Sequence, residues 1–103
     1  MSYIASLTAA VPLDGRRLAL TFADGFTAEL DLSPALTGPL FAPLLDAAVF
    51  RAVTIEDGVP CWPNGADIDP GTLRIWAEAG EILSDEETNL RAVTHRQFPQ
   101  KVA

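Results

Sequence analysis

The backbone is constrained most tightly in the stretch Trp62-Pro63-Asn64-Gly65-Ala66-Asp67-Ile68-Asp69-Pro70. Pro63 fixes its own φ and favours an extended conformation at the residue before it, and Asn-Gly is a strong turn dipeptide. Pro70 suits the first turn of a helix, where Asp69 can act as the N-cap by accepting backbone N–H groups. The stretch therefore predicts a strand, a tight turn and the start of a helix.

Alternating apolar residues predict a β-hairpin earlier in the chain. Its turn is Asp24-Gly25, and the alternation places one apolar face on the hairpin. We expect a type I′ turn there, in which both central residues adopt positive φ. The alternating apolar residues are Leu18, Leu20 and Phe22 before the turn and Phe26, Ala28, Leu30 and Leu32 after it.

The rest of the predicted sheet comes from the N-terminal region and from a second hairpin. Residues 3–12 carry no charge and include β-branched side chains, which predicts a strand that ends at a proline. Phe50–Ile55 and Val59–Trp62 predict a second hairpin around Asp57-Gly58. Pro60 lacks an N–H group, so the returning strand is expected at a sheet edge.

Two helical segments are predicted between the hairpins. Ser33-Pro34 predicts a single turn with Ser33 as its N-cap, which Gly38-Pro39 stops. A longer helix is predicted over residues 41–48, because its apolar residues follow the i, i+3, i+4, i+7 spacing of a helix that lays one face on a sheet. These apolar residues are Phe41, Leu44, Leu45 and Ala48.

Two more helices are predicted after the second hairpin. The first runs from Pro70 to about Ala79, and Gly80 is a natural residue just past its end. The second runs from about residue 85 to 96, where Ser84 and Glu87 have the spacing of a capping box. The polar end of the chain, residues 97–103, is expected to be disordered.

Together these elements predict a small two-layer α+β domain. Its antiparallel sheet is built from two β-hairpins plus an N-terminal strand, with two or three short helices on one face. Residues 1–80 are expected to form a single α+β domain, and residues 81–103 a C-terminal extension that is helical or partly disordered.

Charge and composition exclude several classes of function. The chain has 103 residues, of which 14 are acidic and 7 basic, so its formal net charge is −7. An acidic surface repels a duplex, so we expect no direct nucleic acid binding. No apolar run approaches the ~20 residues that span a bilayer, and no basic region precedes an apolar one at the N-terminus, so we expect no membrane association. The lone Cys61 agrees with a reducing compartment, and we expect a cytoplasmic protein.

One group of carboxylates could serve a hard cation. Asp67 and Asp69, together with Glu56 and Asp57 on the second hairpin, are oxygen ligands of the type that Ca²⁺ and Mg²⁺ prefer. The spacing of an EF-hand is missing, however, and capping a helix is a sufficient role for Asp69. We therefore expect no bound metal and no cofactor.

Nucleophilic catalysis has little support in the sequence. The single histidine, His95, lies in the C-terminal tail, and Cys61 has no base at an informative spacing. Ser33 and Ser84 both resemble helix caps. We assign no catalytic residue.

The two tryptophans each admit two interpretations. An exposed tryptophan beside a rigid turn is a good anchor for a partner, whereas a small domain needs large side chains in its core. We expect Trp76 in the core and leave both interpretations open for Trp62.

Three pieces of the sequence, in order, resemble one known family. They are the hairpin from Leu-Thr-Phe-Ala-Asp-Gly to Glu-Leu-Asp-Leu-Ser-Pro-Ala-Leu (residues 20–36), then Phe50–Val53 with Asp57-Gly58, then Cys-Trp-Pro-Asn-Gly-Ala-Asp-Ile-Asp-Pro-Gly-Thr-Leu (residues 61–73). Over about residues 3–78 the chain resembles the bacterial domain-of-unknown-function family 2442. The resemblance implies a small α+β domain without an assigned reaction. Some relatives in this family are encoded beside a second short protein, as in toxin–antitoxin pairs, and some are fused to a helix-turn-helix domain. These contexts imply regulation through a partner.

We therefore expect a non-enzymatic, small acidic regulatory or accessory protein that binds a protein partner, with an antitoxin-like role as one form. The expected partner is a co-encoded small basic protein, and a homodimer is a further option. The expected contact residues are Trp62, Asn64, Asp67 and Asp69. One alternative is a metal-dependent or acid–base enzyme that uses Asp67 and neighbouring carboxylates, and another is a DNA-associated regulator that acts through a partner.

Overall fold

The structure is a computed structural model that describes residues 6–97, with side chains described up to residue 92. Its strands are β1 (Leu7–Pro12), β2 (Arg17–Phe22), β3 (Thr27–Asp31), β4 (Thr54–Glu56) and β5 (Val59–Cys61). Its α-helices are α1 (Gly38–Phe41), α2 (Ala47–Phe50), α3 (Pro70–Ala79) and α4 (Asp85–Gln97), and short 3₁₀ helices span Ser33–Ala35 and Ala42–Leu45.

The predicted small α+β domain with antiparallel hairpins and short helices is confirmed. The strands β1, β2 and β3 form one antiparallel sheet in that order, and β4 pairs with β5 in a second sheet. The two hairpins therefore lie in separate sheets, where the sequence predicted a single one. A backbone hydrogen bond of 2.9 Å from Leu7 N to Gly58 O joins β1 to the turn of the second hairpin.

The core lies on the apolar face of the three-stranded sheet. Leu18 on β2 pairs with Leu30 on β3, and both side chains are buried, as the alternation predicts. Helix α3 adds Leu73, which is fully buried against this face. Burial of apolar area at about 25 cal/mol per Å² is the main force that holds the helix on the sheet. Further buried members of this core are Leu7, Leu20, Phe22, Leu32, Leu36, Leu44, Phe50, Trp62, Ala66, Ile68 and Ala77.

The two Asp-Gly turns differ from each other. In the first hairpin only Gly25 has positive φ (94°), so the predicted type I′ turn is wrong. Phe22 N bonds to Phe26 O at 2.8 Å, which closes a three-residue loop that needs one left-handed residue at its last position. In the second hairpin both Asp57 (53°) and Gly58 (81°) have positive φ, as a two-residue type I′ turn requires.

The predicted helix over residues 41–48 is broken, and this prediction is wrong. Residues 41–48 instead form the end of α1, a 3₁₀ turn and the start of α2. The 3₁₀ turn is separated from α2 at Asp46, because the backbone of this residue is extended (ψ 123°). The Asp46 carboxylate accepts hydrogen bonds from Ala48 N at 2.8 Å and Val49 N at 3.4 Å, so it starts a new helix instead of continuing the old one. As a result Leu44 is buried whereas Leu45 is 50% exposed.

Three smaller boundaries also differ from the predictions. The Ser33 side chain does not cap the first 3₁₀ turn; the Asp31 carboxylate instead accepts a bond from Ser33 N at 2.9 Å. Gly38-Pro39 begins α1 and does not stop a helix. Phe50 ends α2, so the strand predicted from Phe50 begins at Thr54.

The helices after the second hairpin agree with the predictions. Asp69 caps α3 by accepting a bond from Thr72 N at 3.0 Å, and Gly80 follows α3 with φ 82°. Ser84 Oγ accepts a bond from Glu87 N at 3.1 Å at the start of α4. The expectations for residues 3–5 and for residues 98–103 lie outside the described residues, and the domain boundary at residue 80 stays a prediction.

Gly58 and Gly25 provide a matched pair of turn glycines. Both have positive φ, so alanine is strained at either position, but a Cβ on Gly58 would lie 2.8 Å from Ser6 Cβ whereas one on Gly25 meets nothing within 4 Å. We expect Gly58→Ala to lower the free energy of unfolding by about 1–3 kcal/mol more than Gly25→Ala, because it also separates the second hairpin from β1. Urea denaturation followed by circular dichroism measures both; equal losses would contradict the close contact.

Candidate functional site

The Trp62–Ala66 turn is closed by several hydrogen bonds. Trp62 N donates to Ala66 O at 2.9 Å, and Gly65 N donates to Trp62 O at 3.0 Å. The Asn64 side chain accepts from Ala66 N at 3.2 Å and donates from Nδ2 to Leu40 O at 2.8 Å. Asn64 therefore fixes the turn and ties it to α1, which makes this corner a rigid part of the surface.

Trp62 lies in the core. It is 3% exposed, and its ring stacks on Phe50 with centroids 6.3 Å apart and planes at 28°. Its Nε1–H donates to Phe50 O at 3.0 Å, which satisfies both the indole donor and a carbonyl at the end of α2. Of the two interpretations left open for Trp62, the core position is the one observed, so this ring supports the turn from beneath and offers no surface to a partner.

Asp67 and Asp69 lie on either side of a buried residue, Ile68. Asp69 is engaged as the N-cap of α3, and its carboxylate also lies 3.4 Å from the Thr72 hydroxyl. Asp67 is exposed and forms a β-bridge with Cys61 on β5. The two carboxylates therefore have different surroundings, and Asp67 is the one placed beside the second hairpin.

A single face of the second hairpin collects polar and acidic side chains. Directly paired residues of an antiparallel ladder point to the same side, so Thr54, Cys61 and Asp67 share a face, which also carries the paired Glu56 and Val59. We call these five residues the acidic hairpin face. Ile55 and Pro60, on the opposite side of the hairpin, pack towards the core.

The pKa of the Cys61 thiol depends on the charge of this face. Partial burial raises the pKa of Cys61, and the nearby carboxylates Glu56 and Asp67 raise it further, because a thiolate would be repelled by both. The thiol therefore stays protonated at neutral pH and is a poor nucleophile. The arrangement suits the binding of a cation or a basic side chain better than covalent chemistry.

The four carboxylates that the sequence suggested for a hard cation are not gathered into one site. Within residues 6–97 as described, no group of three or more His, Cys, Asp or Glu side chains could hold a metal ion. Asp69 in particular points to the start of α3. The geometry thus gives the metal-dependent enzyme no ligand set in the described part of the chain. The side chain of His95 lies outside the described residues.

The helices described are also too short or too polar for a bilayer. Across the described residues, none combines the length and apolar character needed to cross a membrane.

The fold and the corner that holds the acidic hairpin face define the class of this protein as a small α+β domain with a rigid strand-to-helix turn. The chain belongs to the family described as protein of unknown function (DUF2442), whose family model matches residues 7–79. The resemblance to domain-of-unknown-function family 2442 is thereby confirmed. A search of curated proteins found no match, and a search of solved structures also found none.

The sequence missed two features around the site. Arg16 donates from Nε to Leu44 O at 3.2 Å and from Nη2 to Leu45 O. Its guanidinium carbon lies 5.8 Å from the centre of the Phe50 ring. This residue ties the segment between the hairpins to the three-stranded sheet. The second feature is the exposure of that segment's leucines, which the predicted amphipathic helix concealed.

Proposed function

We propose that this protein is a small acidic accessory protein that binds a basic protein partner through the acidic hairpin face. One observation carries the proposal. Residues 52–73, which build the second hairpin and its corner, contain four carboxylates and no lysine, arginine or histidine. Strand pairing places Glu56, Asp67 and Cys61 on the same face of the second hairpin, and the two carboxylates both raise the pKa of the Cys61 thiol.

The rigidity of the corner supports this proposal. A surface that is already ordered loses little conformational entropy when it binds, and the Asn64 bonds to Leu40 and Ala66 order this one. An uncompensated negative face also accelerates encounter with a basic partner and favours it over acidic ones. Of the four predicted contact residues, Asp67 touches the partner in this proposal, while Trp62, Asn64 and Asp69 hold the shape of the corner.

The biological form that we propose is regulatory. A co-encoded small basic protein would be held by this acidic chain in an antitoxin-like pair, in agreement with the family contexts in which a second short protein is encoded nearby. The acidic excess of the whole chain, with a formal net charge of −7, supports a basic partner over a nucleic acid. The proposed location is the cytoplasm.

The test removes two charges from the face and compares the result with the removal of two charges elsewhere. We expect Glu56→Gln combined with Asp67→Asn to weaken capture of the partner from extracts of the source cells at least about tenfold, because two opposed charge pairs are lost. The control combines Asp14→Asn with Glu81→Gln, two exposed carboxylates outside the face, and changes the net charge equally. Capture is measured by quantitative mass spectrometry on the immobilised full chain.

The expected result is one basic protein retained by the wild type and by the control, and released when salt is raised to about 500 mM because the Debye length shortens. Equal retention by both double variants would show that the net charge, and not the acidic hairpin face, attracts the protein. A captured protein that survives high salt would also contradict the proposal.

A further inference from the structure

The segment between the hairpins exposes an apolar surface. Leu40 is 45% exposed and Leu45 is 50% exposed, although both belong to a part of the chain that supplies core residues. The short helices turn Phe41 and Leu44 towards the core and their leucine neighbours outwards. We call the exposed apolar residues of this part the leucine surface: Pro39, Leu40, Ala42, Pro43, Leu45, Ala47 and Ala48.

The leucine surface is held in place and does not result from a loose segment. Arg16 bonds to the carbonyl groups of Leu44 and Leu45, and Asn64 bonds to that of Leu40. At the end of the segment a tryptophan side chain bonds to the last carbonyl of α2. These contacts fix the backbone from the sheet and from the corner, so the exposure of the two leucines is a stable property of the fold. Large contiguous areas of exposed apolar surface on small proteins mark sites of association.

The charges in this region are balanced, although the chain as a whole is acidic. Residues 32–55 contain one acidic residue, Asp46, and one basic residue, Arg51, so the stretch is neutral in a chain of net charge −7. Asp46 and Arg51 flank α2 at its start and its end. The Asp46 bonds to Ala48 and Val49 both use Oδ1, which leaves Oδ2 to accept another donor.

We propose that the leucine surface is the contact between two copies of this chain in a symmetric homodimer. A two-fold contact places a surface on its own copy, so like charges oppose each other wherever the surface carries net charge. The neutral stretch avoids that repulsion. When the two α2 helices lie antiparallel, Asp46 of one copy faces Arg51 of the other. Leu40 and Leu45 precede α2 and add apolar contact beyond these pairs.

The size of the leucine surface sets the expected strength of the dimer. A standard interface takes roughly 20–30 residues from each side, and the leucine surface with its exposed flanks is smaller than that. We therefore expect a dissociation constant on the order of 10–100 µM. The acidic hairpin face is not used, so the dimer and the proposed partner can be tested separately.

The experiment measures the mass of the full chain by sedimentation equilibrium from about 1 µM to about 1 mM protein, a range that brackets the expected dissociation constant. We expect the wild type to rise from 11.0 kDa towards twice that mass. Leu45→Glu should weaken the dimer at least about tenfold, because it replaces an apolar contact with a carboxylate that must lose its bound water in the interface. Val11→Glu is the matched control, since Val11 is 53% exposed on β1, outside the leucine surface, and it should dimerise as the wild type does.

Two further variants separate a dimer through the leucine surface from association through the acidic hairpin face. Arg51→Glu places an acidic residue opposite Asp46 of the other copy and should weaken the dimer several-fold. Arg51 is exposed and lies outside the hydrophobic core, so the variant is expected to fold. Glu56→Gln combined with Asp67→Asn should dimerise as the wild type does, which distinguishes this proposal from the proposed function. Circular dichroism confirms that each variant is folded.

Several results would overturn the proposal. A wild type that stays at 11.0 kDa up to about 1 mM would assign the leucine surface to a different occupant. A folded Leu45→Glu variant that dimerises with unchanged affinity would place the contact elsewhere. A dimer that dissociates at about 500 mM salt would rest on charge and not on apolar contact.

Discussion

Trp62→Ala is expected to lower the free energy of unfolding by about 3–5 kcal/mol, a loss large enough to threaten the folded state of a domain of this size. The substitution removes a ring that is 3% exposed and stacked on Phe50. It also removes the indole N–H that bonds to Phe50 O at 3.0 Å, which leaves the carbonyl of a helix end unpaired in the core. Urea denaturation followed by circular dichroism measures the loss.

A second tryptophan serves as the control for this result. Trp76 is half-buried on α3, and its Nε1–H donates to the Thr88 hydroxyl on α4 at 2.9 Å. We expect Trp76→Ala to be milder than Trp62→Ala, because the side chain lies at the edge of the core and buries less area. A larger loss for Trp76→Ala than for Trp62→Ala would contradict the assignment of Trp62 to the centre of the core.

Arg74→Ala is expected to lower the free energy of unfolding by about 2–3 kcal/mol, far more than an ordinary surface arginine. The Arg74 side chain is 11% exposed, and its guanidinium lies 4.3 Å from the ring centre of Phe26 and 5.0 Å from that of Phe22. It also pairs with Asp24 at 3.0 Å and Glu78 at 2.7 Å. The residue thus fastens α3 to the turn of the first hairpin through stacking and charge together.

Another arginine on a helix gives the matched comparison. Arg91 pairs with Glu87 one turn earlier at 3.2 Å, with both side chains nearly half exposed. Arg91→Ala should change the free energy of unfolding by no more than about 0.5 kcal/mol, because exposed i, i+4 pairs are weak. Similar losses for the two variants would show that the aromatic stacking of Arg74 contributes nothing.

The stabilisation by Arg74 is expected to decrease at low pH. Its hydrogen bond to Asp24 holds the pKa of that carboxyl below its ordinary value, with a further bond from Phe26 N acting in the same sense. A carboxyl whose pKa is lower in the folded state than in the unfolded state stabilises the fold at pH values above its unfolded pKa, about 4. This contribution to the free energy of unfolding is lost as the pH falls through the folded pKa. The difference in stability between the wild type and Arg74→Ala should therefore narrow below about pH 4.

The sequence alone determined the elements whose causes are local. The first hairpin follows from alternating apolar residues, and α3 follows from the cap at Asp69, the proline after it and the glycine at its end. The start of α4 follows from its cap, Ser84, whose hydroxyl accepts a hydrogen bond from Glu87 N. Each of these rests on hydrogen bonds or contacts between residues near in the chain, so a window of a few residues contains the cause.

Tertiary structure decided the features whose causes are distant in sequence. The spacing of Leu45 predicts a buried helical residue, but the cap at Asp46 and the tie from Arg16 turn that leucine outwards. Trp62 could have been a surface anchor until Phe50, twelve residues away, supplied both a ring to stack on and a carbonyl to accept its N–H. Local propensity is the same in both outcomes at these positions, and only the packing of separate segments, which no short window of sequence contains, selects between them.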